Sequence, residues 1–235
     1  KPDAWRDYQQ ILSELGLIVS TKLRPKLLLT DVARAFVAGE LPFRQLMQMQ
    51  VFRYQYPNGQ KHDRSPALKA ALEANGSLVP ESLIDLHINS GVLIKPALLI
   101  LQVLVGLLDA GEDAQITADE CRAFLLPCKT NGSWDSAVRD IRTARSSGVE
   151  LSTLHAETKK RNIQDWFKLI DLTGLFETDG KSYVALNQIG RSSVQELRIM
   201  CSQQTVPEAF WLPSGHSLEN RRDWFRYFGG INAAY

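Results

Sequence analysis

Apolar residues recur every three or four positions over several stretches of the chain, and short apolar blocks broken by turn residues lie between them. Over 160–173, Ile163, Trp166, Phe167, Ile170 and Thr173 line one face of a predicted helix, with Lys160, Arg161, Gln164 and Lys168 largely on the other. Gly174 ends that helix where a left-handed residue costs least. Leu175 and Phe176 on one side, and Tyr183, Val184 and Leu186 on the other, flank Asp179-Gly180, a strong hairpin-turn pair. Asn187 is placed to cap the helix that follows.

Helix, two-stranded wing, helix is how a winged helix-turn-helix domain finishes. The beginning of the chain repeats the pattern. Trp5, Tyr8, Ile11 and Leu12 stand upstream of Gly16 at the same distances as Ile163, Trp166, Leu169 and Ile170 stand upstream of Gly174. Downstream, Leu29-Thr30 matches Leu186-Asn187, and Arg34 matches Arg191. The copies are too far apart for a solenoid. They predict a mainly α protein with small β wings: tandem winged helix-turn-helix subdomains joined by a helical segment.

The rest of the pattern fills that frame. Residues 4–15 read as an amphipathic helix, then LGLIV, a basic tip TKLRPK, and LLLTD as strand, wing and strand. Thr30 caps a helix to about Ala38, stopped by Gly39, and Pro42 opens another to about Tyr54. Short helices are predicted over 66–74 and 80–87. PALLILQVLVGLL (96–108) is the most apolar stretch. A membrane span needs about 20 apolar residues, so this shorter run, holding Gln102 and Gly106, predicts a buried connecting helix with Pro96 at its first position. Thr117-Ala-Asp-Glu120 is a capping box opening a helix to about Leu126. Ser133 is expected to cap a helix over 134–146 with Trp134, Val138, Ile141 and Ala144 buried. The expected divisions are 1–60 (a winged subdomain lacking its first helices), 61–110 (connector), 111–205 (second winged subdomain) and 206–235 (the start of a linker, with an arginine-bearing helix over 218–228).

Composition narrows the function classes. The 235 residues carry a net charge of +1, which excludes a bulk polycation, so a nucleic-acid role needs charge sorted into patches. Cys121, Cys128 and Cys201 form no CxxC and leave an odd thiol, which predicts free, buried thiols in a reducing cytoplasm. His62, His87, His155 and His216 are scattered without ligand spacing. Lys1 falls inside what a complete winged domain has as its third helix, so a piece of a longer protein, monomeric as a fragment, is expected.

The basic positions fall on wing tips and helix starts, where a winged helix meets phosphates. They are Lys22, Arg24 and Lys26 on the first wing, Lys61 and Arg64, Arg139, Arg142 and Arg145, then Lys159, Lys160 and Arg161, and Arg191. The helix ahead of the second wing is the expected groove reader. Arg161 suits guanine, Asn162 and Gln164 suit adenine, and Asp165 can accept from cytosine or cap the helix. Lys159, Lys160 and Lys168 are expected on phosphates. Glu157-Thr158-Lys159 is the only E-x-K string suggestive of a nuclease, and it lacks a partner Pro-Asp; a helix-surface ion pair explains it as well. No catalytic centre, cofactor site or metal site is predicted.

Taken in order, LGLI…LLLTDVARAFVAGEL, QMQVFRYQYPN, IKPALLILQVL, ITADECRAFL, IRTAR, NIQDWFKLIDLTGLFE and WFRYFG resemble the N-terminal recognition region of offset-cutting type IIS restriction endonucleases and their nicking relatives. The resemblance spans most of the chain and rests on the order of its pieces. It implies recognition of double-stranded DNA at an asymmetric site. It also implies a parent in bacterial restriction-modification whose separate C-terminal nuclease domain, or second subunit, cuts with Mg2+. A tandem winged-helix transcription regulator or a protein-binding adaptor is the alternative, and an enzyme with a concealed site a third. No membrane association is expected.

Overall fold

The computed structural model describes residues 2–19, 26–56, 87, 89–151, 160–202 and 225–231, leaving aside the side chains of 2–7 and 160–162. The predicted first wing tip up to residue 25, the short helices over 66–74 and 80–87 apart from residue 87, and all of 206–224 lie outside the described residues. The described part is mostly helical with small antiparallel sheets. It divides into two compact units, the first holding 2–19, 26–41, 54–56, 87, 89–93 and 225–231, the second 42–53, 94–151 and 160–202.

In the first unit, α1 (Pro2–Glu14) runs into Gly16, whose φ of 68° turns the chain towards β1 (Ile18–Val19). β1 pairs antiparallel with β2 (Leu28–Leu29), and α2 (Asp31–Val37) follows. Thr30 occupies the N-cap position of α2 but makes no capping bond; its hydroxyl donates to Leu17 O instead, at 3.1 Å. A linker start was expected over 206–235. Its described part, 225–231, packs into this unit. Phe225 and Phe228 bury one side of a helical turn, and Val32 N–H donates to Gly229 O at 2.9 Å.

The second unit begins with α3 (Phe43–Arg53). Its core is α4 (Pro96–Asp109), whose residues from Ala97 to Leu107 are buried on every face. Such all-round apolarity is that of a fully enclosed helix. α4 packs on α3 and on later elements of the same unit: β3 (Gln115–Thr117), α6 (Trp134–Ser147), α7 (Lys160–Asp171) and α9 (Val194–Ser202). The helix predicted as part of a connector therefore packs inside the second unit.

β3 is absent from the predicted elements. It pairs with β5 (Tyr183–Leu186), which pairs with β4 (Phe176–Thr178), giving the antiparallel order β3-β5-β4. Three residues of strand show too little alternation to register as a period, and Thr117 is also the N-cap of α5 (Ala118–Glu120). α5 continues as a π-helical turn, Cys121–Leu125. Ser133 stands at the N-cap position of α6 in a helical conformation and makes no capping bond, because a 3-10 turn over Asn131–Ser133 leads into the helix. Val138, Ile141 and Ala144 are buried on α6 as expected, while Trp134 is only partly so. After the hairpin, the helix expected to follow the Asn187 cap is two: α8 (Gln188–Ser192) and α9, broken at Ser193.

Candidate nucleic-acid interface

α7 is fixed by its apolar face. Ile163, Phe167 and Ile170 are buried, as is Thr173 just beyond the helix, whose hydroxyl donates to Ile170 O at 2.7 Å. Gly174, at φ 70°, turns the chain into the hairpin. α3 holds that corner, since Gln48 Nε2 donates to Thr173 O at 3.0 Å and the Arg44 side chain lies against Gly174. A rigid base of this kind is what aimed surface side chains need.

Of the predicted reading residues, Gln164 is half-buried, while Asp165 and Lys168 are exposed and paired with each other at 3.9 Å. An exposed pair three residues apart is worth little, so Lys168 can exchange this carboxylate for a phosphate. Lys160, Arg161 and Asn162 lie in the first turn of α7, with their side chains outside the description; Lys159 is outside it altogether, like Lys22 and Arg24.

The β4–β5 turn is built on Asp179. Its carboxylate accepts the hydroxyl of Ser182 and the N–H groups of Ser182 at 2.7 Å and Lys181 at 2.8 Å. Those bonds, the Ser182 hydroxyl foremost, hold the carboxyl well below the usual carboxylate range. The turn presents Lys181 to solvent. Lys181 is not among the predicted contacts, though its position beside the turn pair Asp179-Gly180 marks it. A Cβ built at Gly180 would lie 3.3 Å from Lys168 Cγ, so the Lys168 stem runs along the turn that carries Lys181.

The three arginines of α6 divide. Arg139 pairs with Asp135 one turn back, and Arg142 Nε lies 3.5 Å from Glu112; both arginines are exposed. Arg145 is exposed as well, but its guanidinium is held by neighbouring elements. Its Nε donates to Glu120 Oε1 at 2.7 Å, and its Nη2 donates to Glu120 Oε2 at 3.1 Å and to Gln115 O at 2.7 Å. The Glu120 hydrogen bond raises the guanidinium pKa further. α6 and α7 both pack against the π turn that continues α5.

Arg191 is exposed in α8 and donates through Nε to Leu186 O at 3.0 Å. Lys26 is exposed just ahead of β2 in the first unit. Among the described residues no three His, Cys, Asp or Glu side chains are grouped to hold a metal ion, and no helix is long and apolar enough to cross a membrane.

No protein-family profile matches the chain, and no curated protein does. Among solved structures it is similar to one described as a crystal structure of pyrene- and phenanthrene-modified DNA in complex with the BpuJ1 endonuclease binding domain. The likeness covers 95% of this chain and 76% of that one, with a TM-score of 0.62 and 15% identity. At that identity the likeness is one of fold, and the chain shares the fold of that endonuclease binding domain.

Proposed function

We propose that this chain recognises double-stranded DNA at a specific sequence, as the recognition part of a restriction or nicking endonuclease. The observation that carries the reading is the position of α7 immediately ahead of the β4–β5 hairpin, in a sheet of order β3-β5-β4. We read a helix, a two-stranded wing and a third strand closing the sheet as a winged-helix arrangement, in which the helix before the wing is the one that enters the major groove. The fold shared with a domain crystallised on DNA supports the same reading.

In this account Arg161, Asn162 and Gln164 meet base edges, and Asp165 either accepts from cytosine or stays with Lys168. Lys159, Lys160, Lys168 and Lys181 neutralise phosphates, together with Arg139 and Arg142 on α6. Lys22, Arg24 and Lys26 would serve a first wing in the same way. Cleavage, with its Mg2+, is assigned to another domain or subunit of the parent. A transcription regulator with the same fold would favour a two-fold symmetric site, since a dimer's symmetry is mirrored in its operator.

Selection of bound sequences from random duplexes tests the reading. An asymmetric motif is expected, and Gln164→Ala or Arg161→Ala should flatten the preference at one position, a loss of about 1–3 kcal/mol of discrimination. A palindromic motif would favour the regulator. A motif that survives alanine at Arg161, Asn162 and Gln164 together would move the reading surface elsewhere.

A further inference from the structure

We infer that Arg145 is a positioning residue which sets α6 against the α5–α7 pair, and not one of the cations that meet DNA. This role rests on the proposed function and deepens it. Three elements meet at Glu120, which is the N3 residue of a complete capping box: its Oε2 accepts Thr117 N–H at 2.8 Å, and Thr117 Oγ1 accepts Glu120 N–H at 3.1 Å. Its side chain is 7% exposed, so its negative charge needs a partner. Arg145, from the last turn of α6, supplies two donors to it and a third hydrogen bond to the carbonyl of Gln115 in the edge strand β3. Glu112, at 3.7 Å, holds the guanidinium from the other side.

One planar group therefore joins the C-terminal end of α6 to the start of α5 and to the sheet. The consequence reaches α7, because the π turn continuing α5 packs on both α6 and α7. If both helices face the duplex, their relative tilt decides whether the cations of α6 and the readers of α7 engage together. Arg139 and Arg142 are exposed, with solvent-accessible partners, and can turn to phosphate. Arg145 cannot do so without leaving Glu120 buried and unpaired.

The test measures affinity for a selected duplex against KCl concentration in the unaltered chain, in Arg145→Met, Arg145→Lys and Glu120→Gln, and in the double variant Arg145→Met with Glu120→Gln. Glutamine keeps the capping box, which accepts Glu or Gln at that position, so Glu120→Gln removes the charge while leaving the cap. Circular dichroism confirms that each form is folded at the temperature used. A positioning role predicts that Arg145→Met and Glu120→Gln both weaken binding, roughly five- to tenfold, that the double variant is little worse than either alone, and that the salt slope is unchanged. Arg145→Lys should stay weak, because an ammonium cannot reproduce the two-pronged contact. A phosphate contact predicts the opposite pattern: a slope lowered by about one in Arg145→Met, recovery in Arg145→Lys, and unchanged or tighter binding in Glu120→Gln. That pattern, or unaltered affinity in all variants, overturns the inference. Failure of the unaltered chain to hold any duplex would overturn the proposed function first, and this role with it.

Discussion

Arg34 and Arg191 make the same hydrogen bond at matching places in the two units. Arg34 Nη1 donates to Leu29 O at 2.8 Å, and Arg191 Nε donates to Leu186 O at 3.0 Å; each carbonyl belongs to the last residue of a hairpin's second strand. The surrounding backbone agrees. Gly16 N–H donates to Ser13 O and Gly174 N–H to Asp171 O, both at 3.0 Å, while Thr30 N–H reaches Leu17 O and Asn187 N–H reaches Leu175 O, both at 3.1 Å. The arginine matched in sequence at both places thus ties the helix after the hairpin back to the strand before it. Arg191→Ala should cost about 1 kcal/mol, read as a lower urea midpoint. An unchanged midpoint would leave Arg191 available as a DNA contact only.

Asn187 does more than cap α8. Its Oδ1 accepts Gly190 N–H at 2.9 Å, and its Nδ2 donates to Gly174 O and Phe176 O, each at 3.1 Å. Aspartate is ordinarily as good an N-cap as asparagine. Here Asn187→Asp would turn two donors into a charge facing two carbonyls, so it should destabilise by about 1–3 kcal/mol despite keeping the cap. Chemical denaturation showing Asn187→Asp equal to the unaltered chain would remove the bridging role.

Close packing of α4 on α6 depends on Gly106. A Cβ there would come 2.8 Å from the Trp134 ring and 2.9 Å from Val138 Cγ2. Gly106→Ala should therefore cost about 1–3 kcal/mol through overpacking, against the usual gain from replacing a helical glycine. Leu101, fully buried in the same helix, should lose about 2–5 kcal/mol on substitution by alanine. Unchanged thermal midpoints in both variants would put α4 at a surface.

Lys95 is buried at the start of α4, and burial, with help from Arg53, lowers its pKa to about 8 from 10.5. The folded pKa lies below the unfolded one. Below about pH 8 both states are protonated and the folded state carries the full penalty. From there up to 10.5 the folded state has released a proton that the unfolded state keeps, so stability rises with pH. The buried thiol of Cys121 acts in the other direction: its pKa is raised by burial above 9.0, so its contribution falls as pH rises through that value. The comparison is therefore the unaltered chain against Lys95→Met. The variant should be the more stable near neutrality, with the gap closing across the window above pH 8. A gap that does not change with pH would contradict the assignment.

Much of the second unit was legible in the sequence because its signals are local. The Ile163–Ile170 face, the left-handed Gly174, the Asp179-Gly180 turn, the Asn187 cap and the Thr117–Glu120 box each depend on residues within a turn or two. What could not be read depends on distant partners. β3 exists because β5 offers it an edge, and α3 joins the second unit through contacts such as the Phe52 and Phe176 rings, 6.2 Å apart. Arg145 shows the same limit. Basic spacing on α6 made it resemble its neighbours Arg139 and Arg142, and nothing local announced that Glu120 would lie beneath it.

The salt dependence of duplex binding tests the central claim most directly. The affinity of the unaltered chain should fall linearly with KCl on logarithmic axes, and Lys168→Ala with Lys181→Ala together should reduce the slope by about two while weakening all duplexes alike. A slope that the double variant leaves unchanged, or a chain that holds no duplex at low salt, would contradict the account.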